Sequence, residues 1–160
     1  MTSEIESSDG AAVRFPPPFV PLIALVLGLV TQHWLMPLSI PLTGGVRYGA
    51  AVLLLGAGAA LMLSAFGLFR RTGQDVKPWE STPEIISTGI YRFTRNPMYV
   101  SMALLQAGIG VALANGWVVL LVPVVSIVIY FIAIRHEEAY LEEKFGTVYT
   151  EYKSSVRRWI

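Results

Sequence analysis

The chain has 160 residues, of which 54% are hydrophobic and only 14% charged, and its mean hydropathy is +0.56. That is too apolar for an ordinary soluble domain of this size, and the formal net charge of +1 points to no nucleic-acid partner. Cysteine is absent, which excludes disulfides, thiolate metal sites and a cysteine nucleophile together.

Residues 1–18 form an N-terminal tail. Residues 1–15 are small and polar and are expected to lack fixed structure, and Phe15-Pro16-Pro17-Pro18 is a stiff lead into the first apolar run. Glu4, Glu6 and Asp9 stand where a leader would carry basic residues, and no small-residue cleavage site follows, so the first span is expected to stay. Residues 19–69 hold two spans. The first, 19–36, is closed by Pro37 and has a more polar end at Thr31-Gln32-His33; the second, 48–69, is rich in Gly and Ala, which let helix backbones approach closely.

Arg95 and Arg135 then bracket 39 uncharged residues. At about 1.5 Å per helical residue these would make a rod roughly twice the ~30 Å thickness of a bilayer core, so they must fold back. Asn115-Gly116 is the natural hairpin point and leaves residues 97–114 and 117–134 as two more spans. The predicted fold is all-α, a polytopic membrane bundle of four transmembrane helices.

Of the 12 Lys and Arg, only Arg47 lies between spans one and two and none lies between spans three and four. The rest fall in the tail, the loop of residues 70–96 and the segment from 135, which the positive-inside rule places in the cytoplasm with both termini. No acid lies inside a predicted span, which disfavours proton-coupled transport. His33 and His136 are too few for histidine-rich di-iron chemistry, and Arg135-His136-Glu137-Glu138 lacks a second histidine one turn away, so no metal site is expected.

The loop "RRTGQDVKPWESTPEIISTGIYRFTRN" is long for a connection between spans, and Ile85, Ile86, Tyr91 and Phe93 are apolar anchors within it. Beyond residue 134, Leu141, Phe145, Val148, Tyr152, Val156 and Trp159 recur at three- and four-residue steps. They predict a cytoplasmic amphipathic helix, or two helices broken near Gly146. The hairpin makes spans three and four antiparallel neighbours, so the cluster ending in Arg95-Asn96-Pro97-Met98-Tyr99 faces Arg135-His136-Glu137-Glu138 at one membrane surface. Asn96 can cap span three with Pro97 in its first turn, a geometry that leaves backbone N–H groups free to meet an anion. Singly, these arginines and tyrosines read as topology anchors and an aromatic belt. A carboxylate pair at a span end is no lipid anchor.

The order "IISTGIYRFTRNPMY", a hairpin of two short spans, then "RHEEAYLEEKFGTVYTEYKSSVRRWI" resembles the isoprenylcysteine carboxyl methyltransferase family and the related phospholipid N-methyltransferases. The likeness covers about residues 70–158 and makes residues 70–160 the catalytic region. It implies an S-adenosyl-L-methionine-dependent methyltransferase acting on a lipophilic acceptor at the cytoplasmic leaflet: an isoprenylcysteine-like carboxylate, another carboxyl, thiol or amine, or a phospholipid amine. It also implies that Ile85 and Ile86 belong to the nucleoside pocket. Tyr91, Asn96, Pro97, Met98 and Tyr99 would contact the cofactor, Glu138 would hold its ammonium, and Gln74 is a further contact.

Asn96 stands where the prenylcysteine enzymes carry His, but still offers a donor and an acceptor. Arg135 is the candidate to orient a substrate carboxylate or phosphate. A prokaryotic inner membrane is the expected location. Two other readings compete: an NADPH-dependent enzyme like the sterol reductases, which share the likeness but are generally larger, and a non-catalytic membrane adaptor, which leaves Glu137-Glu138 unexplained.

Overall fold

The computed structural model of the protein describes residues 10–159. It is all-helical; among the described residues the one β-type pairing is an isolated bridge between Ser39 and Asn115. Helix α1 (Phe19–Val30) runs on through a π-helical turn, Thr31–Leu35, and stops where Met36 becomes extended. Pro37 follows, and its ring disfavours a helical residue before it.

Helix α2 (Gly44–Thr72) starts earlier than the charge pattern implied and takes Arg47 into its first turn. The charge is accommodated locally: the Arg47 guanidinium lies 4.7 Å over the Tyr48 ring, and Nη2 donates to the Tyr48 hydroxyl at 2.8 Å. α2 ends at Gly73, whose φ of +67° is the left-handed conformation that closes a helix without a Cβ penalty.

Helix α3 (Pro97–Ala112) and helix α4 (Gly116–Ile129) form the expected antiparallel hairpin. Span four and the amphipathic segment beyond residue 134 are continuous. α4 passes through a π-helical turn, Tyr130–Ile134, straight into helix α5 (Arg135–Phe145), making one rod, Gly116–Phe145. No Gly or Pro interrupts Arg135-His136-Glu137-Glu138, and these residues continue a helix readily. The break comes at Gly146, φ +54°, after which helix α6 (Thr147–Ser155) takes a new direction.

The helices form an arc, α2–α3–α4–α1, with α1 touching α3 only slightly. α2 and α3 lie close because glycines face the partner backbone. A Cβ on Gly58 would sit 3.1 Å from the Ser101 carbonyl oxygen, and one on Gly108 would sit 3.1 Å from the Leu55 nitrogen. Two helices, Gly44–Thr72 and Gly116–Phe145, are long and apolar enough to cross a membrane, and Phe19–Leu35 and Pro97–Ala112 are shorter apolar helices. Leu53 and Leu63 of α2 are 75% and 72% exposed, so this is not the buried helix of a soluble core.

The expectation of a loose N-terminal tail does not hold for residues 10–15; residues 1–9 lie outside the described residues. Ala11 and Val13 are buried against Val125, Ile129, Ala133 and Ile134 of the α4–α5 rod, and the Ala11 N–H donates to the Pro78 carbonyl at 2.9 Å. Two small apolar residues spaced by one present a single extended face, enough to dock a short segment.

At the far end Asn115 is almost wholly buried. Its Oδ1 accepts from the Val118 N–H and its Nδ2 donates to the Gly28 carbonyl, both at 3.1 Å, so one side chain caps α4 and ties it to α1. Asn115→Ala is expected to cost about 1–3 kcal/mol, the range for a buried polar group left unpaired, and so to lower the thermal unfolding midpoint in detergent. An unchanged midpoint would show that the amide does not hold the hairpin.

Candidate active site

Within the arc lies a cavity of about 630 Å³. Its deeper wall is apolar, made by Leu22 and Leu25 of α1, Met62 and Phe66 of α2, and Leu105 and Ile109 of α3. The opposite end is closed by the loop before α3, the first turn of α3, α5 and α6, and carries the polar groups.

The loop is ordered by bonds reaching far along the chain. The Thr82 N–H donates to the Tyr140 hydroxyl at 3.2 Å, Lys144 Nζ donates to Ser81 Oγ at 2.9 Å, and the Tyr152 hydroxyl donates to the Tyr91 carbonyl at 2.7 Å. Gln74, buried, turns its Nε2 back to the Glu84 carbonyl at 3.2 Å. Gln74, Ile85, Ile86 and Tyr91 thereby reach the cavity wall, and Asn96, Pro97, Met98, Tyr99 and Glu138 line it from the helices.

Asn96 occupies the N-cap position of α3, but its side chain does not cap the helix. Nδ2 donates instead to the Arg158 carbonyl at 3.1 Å. Tyr99 donates its hydroxyl to Glu137, a residue 38 positions away, so the two helices of the hairpin meet here as the sequence implied.

Glu138 is not a free carboxylate. Arg158 grips it with two bonds, Nε to Oε1 at 2.8 Å and Nη2 to Oε2 at 2.9 Å, and Arg95 Nη2 lies 3.4 Å from Oε1. Two guanidiniums thus face one carboxylate. Arg95 Nε and Nη1 remain buried without a hydrogen-bond partner. Open buried donors are costly, and the Tyr149 hydroxyl is a neighbouring polar group at this end of the cavity. Burial and the neighbouring Glu138 push the Tyr149 hydroxyl up to about 12, against the opposing pull of Arg95, so it stays a neutral phenol at ordinary pH.

Arg135 is not brought together with the cavity-lining residues. It is exposed and lies outside the cavity lining, because two helical steps turn it about 200° from Glu137, which faces inward. Arg95, which composition alone assigns to topology, takes the inward position. Arg95 and Tyr149 are lining residues that sequence reasoning did not select, and Glu137 it marked only as one of a carboxylate pair. Arg95 could have been found from its place beside Asn96, and Tyr149 from the Phe-Gly-x-x-Tyr pattern. No local spacing signals Arg158.

The sequence profile of the phospholipid methyltransferase family matches residues 46–148. The chain belongs to the phospholipid methyltransferase family. An uncharacterized protein of Haemophilus influenzae is 41% identical over 63 residues, which are 39% of this chain and the whole of that protein. Family membership implies a membrane methyltransferase, in keeping with the two long apolar helices. The family match takes in Arg95, Asn96, Tyr99, Glu137 and Glu138. Residues 10–45, Tyr149, Tyr152 and Arg158 lie outside it.

Glu138→Ala would leave the buried Arg95 guanidinium beside the partly exposed Arg158 with no carboxylate between them, at a cost of about 1–3 kcal/mol. Glu138→Gln keeps hydrogen-bond acceptance and should lose less. Thermal unfolding of the two variants is expected to rank wild type above Gln above Ala. Equal midpoints would show that the cluster contributes nothing to holding the site.

Proposed function

We propose that this family member is an integral membrane methyltransferase that uses S-adenosyl-L-methionine and acts at the cytoplasmic leaflet on a lipophilic acceptor bearing a carboxyl, thiol or amine. The observation that carries the reading is the single cavity joining a charged end to an apolar wall between α1 and α2. A water-soluble acceptor would have no use for that wall.

The residues fit the cofactor. An ammonium, a carboxylate and an adenine ask for acceptors, donors and flat apolar surfaces. Arg95 Nε and Nη1 supply buried open donors, and Ile85, Ile86 and Tyr91 supply the apolar walls. Glu138, expected as the ammonium partner, is committed to two arginines. Glu137 is the better placed acceptor, because Tyr99 binds only its Oε1.

The cofactor, when bound, supplies a methyl on a sulfonium centre. The chain's own contribution is alignment and exclusion of water, which can supply most of the rate of an in-line displacement. Met98 and Pro97 wall the site, and the loop residues Ile85, Ile86 and Tyr91 line it from the other side. Four crossings put the loop, α5, α6 and both termini on the cytoplasmic side, and the first-to-second and third-to-fourth turns outside, as in a bacterial inner membrane.

Detergent-purified protein is expected to bind S-adenosylhomocysteine and not NADPH, and to pass radiolabelled methyl from S-adenosylmethionine to a lipid-extractable product. Asn96→Ala should weaken S-adenosylhomocysteine binding by about tenfold, the loss of one good hydrogen bond. Tight NADPH binding with none for the homocysteine would replace this reading with a reductase.

The absence of cysteine makes topology directly testable. Thr43→Cys should react with a membrane-impermeant maleimide on intact cells, and Glu143→Cys only after permeabilisation. The reverse pattern would overturn the orientation.

A further inference from the structure

Residues 156–159 are not helical. They cross back over the approach to α3 and are fastened at several points. The Arg95 N–H donates to the Arg157 carbonyl at 2.9 Å, and Thr94 Oγ1 and Asn96 Nδ2 both donate to the Arg158 carbonyl at 3.1 Å. The Arg158 side chain forks onto Glu138, and its guanidinium lies 5.0 Å over the Tyr130 ring. Trp159 packs on the apolar cluster that also holds Val13 and Ile134.

These bonds set two orientations in the site. With Nδ2 of Asn96 committed to Arg158, Oδ1 is the end of that amide left for the cavity. With both oxygens of Glu138 gripped by the fork, the carboxylate is fixed edge-on, and Arg95 meets it through Nη2 alone, leaving Nε and Nη1 open. Arg158 itself is not among the residues lining the cavity. It lies beyond residues 46–148 and 20 positions from Glu138.

We infer that Arg158 is a positioning residue of the cofactor site, acting through Glu138 and Asn96 without touching the ligand, and that residues 156–159 are the strap that completes the site. This rests on the S-adenosylmethionine reading above. The role asks for arginine in particular: a lysine can make one bond to the carboxylate but cannot hold both oxygens in a plane.

The test is calorimetric binding of S-adenosylhomocysteine to the full chain in detergent, for the wild type, Arg158→Lys, Arg158→Gln, Glu138→Gln and the double Gln variant, with thermal unfolding of each. Arg158→Gln should weaken binding by about tenfold or more, through loss of the fixed Glu138 edge that orients Arg95, by analogy with the outer partners of metal-ligating side chains. Arg158→Lys should recover only part of the loss. The double variant should bind no more weakly than the worse single one, since both act through one contact. A strap that merely stabilised the fold would lower unfolding midpoints and leave the affinity of the folded variants at the wild-type value.

Wild-type affinity in Arg158→Gln, or multiplying losses in the double variant, would overturn the inference and leave the methyltransferase reading standing. Should Arg158→Gln fail to fold, Arg158→Lys decides: full affinity overturns the role and reduced affinity in a folded protein supports it. No binding by the wild type would overturn both.

Discussion

The buried amide of Asn115 sets the geometry on which the site depends. Its side chain bonds α4 and α1 at once, and its own N–H donates to the Gly110 carbonyl at 2.8 Å, so three helices share one reference point at the far end of the bundle. Each helical residue advances about 1.5 Å and turns about 100°. A one-residue slip at the hairpin would therefore swing both inward faces away from each other at the opposite end, where Tyr99 must find Glu137. Because the amide is buried, such a slip would leave polar groups unpaired in an apolar setting, which makes the register a matter of several kcal/mol rather than preference. The Gly58 and Gly108 contacts then fix α2 against α3 at backbone distance.

Given that register, the Arg95–Glu138–Arg158 cluster is an expensive thing to build. Charged groups taken from water are repaid only by good geometry, and an apolar replacement of the same shape is often more stable. Glue would be better made of leucine. The cluster also leaves Arg95 donors open, which no stability argument favours. A costly, incompletely satisfied charge cluster against an apolar wall fits the proposed polar ligand and lipophilic acceptor, and it sits at the end of the bundle where loop, hairpin and terminal strap converge.

Much of this was legible in the sequence because it is local. Uncharged runs bounded by arginine marked four apolar helices, Asn115-Gly116 marked the turn, and Gly146 marked the break between α5 and α6. The residues carried by the family likeness, from Gln74 to Glu138, do line one cavity. What was not legible depends on partners distant in sequence. Arg135 and Arg95 look alike as charges at span ends, and only the helical phase set by the rod Gly116–Phe145 sends one outward. Asn96 reads as a cap until Arg158, 62 residues away, claims its amide. Glu138 reads as a free carboxylate until the same arginine, following a helix break and a strap, returns to it. Ala11 and Val13 are too short and too small a pattern to announce that they pack.

The division between local and distant signals coincides with a division in the cavity wall. The family-matched residues 46–148 supply nearly all of α2, the loop, α3, α4 and all of α5, hence the charged end apart from Arg158. The apolar wall is shared: Met62, Leu105 and Ile109 lie within the match, but Leu22 and Leu25 of α1 lie before it. α1 packs on α4 and scarcely on α3, so its distance from α2, and with it the width of the apolar opening, is set by Gly28 against Val118 and by the Asn115 amide rather than by the matched helices alone. Two sets of constraints therefore act on one cavity. The hairpin register governs the geometry of the charged end, and the seating of α1 governs the width of the apolar opening beside it.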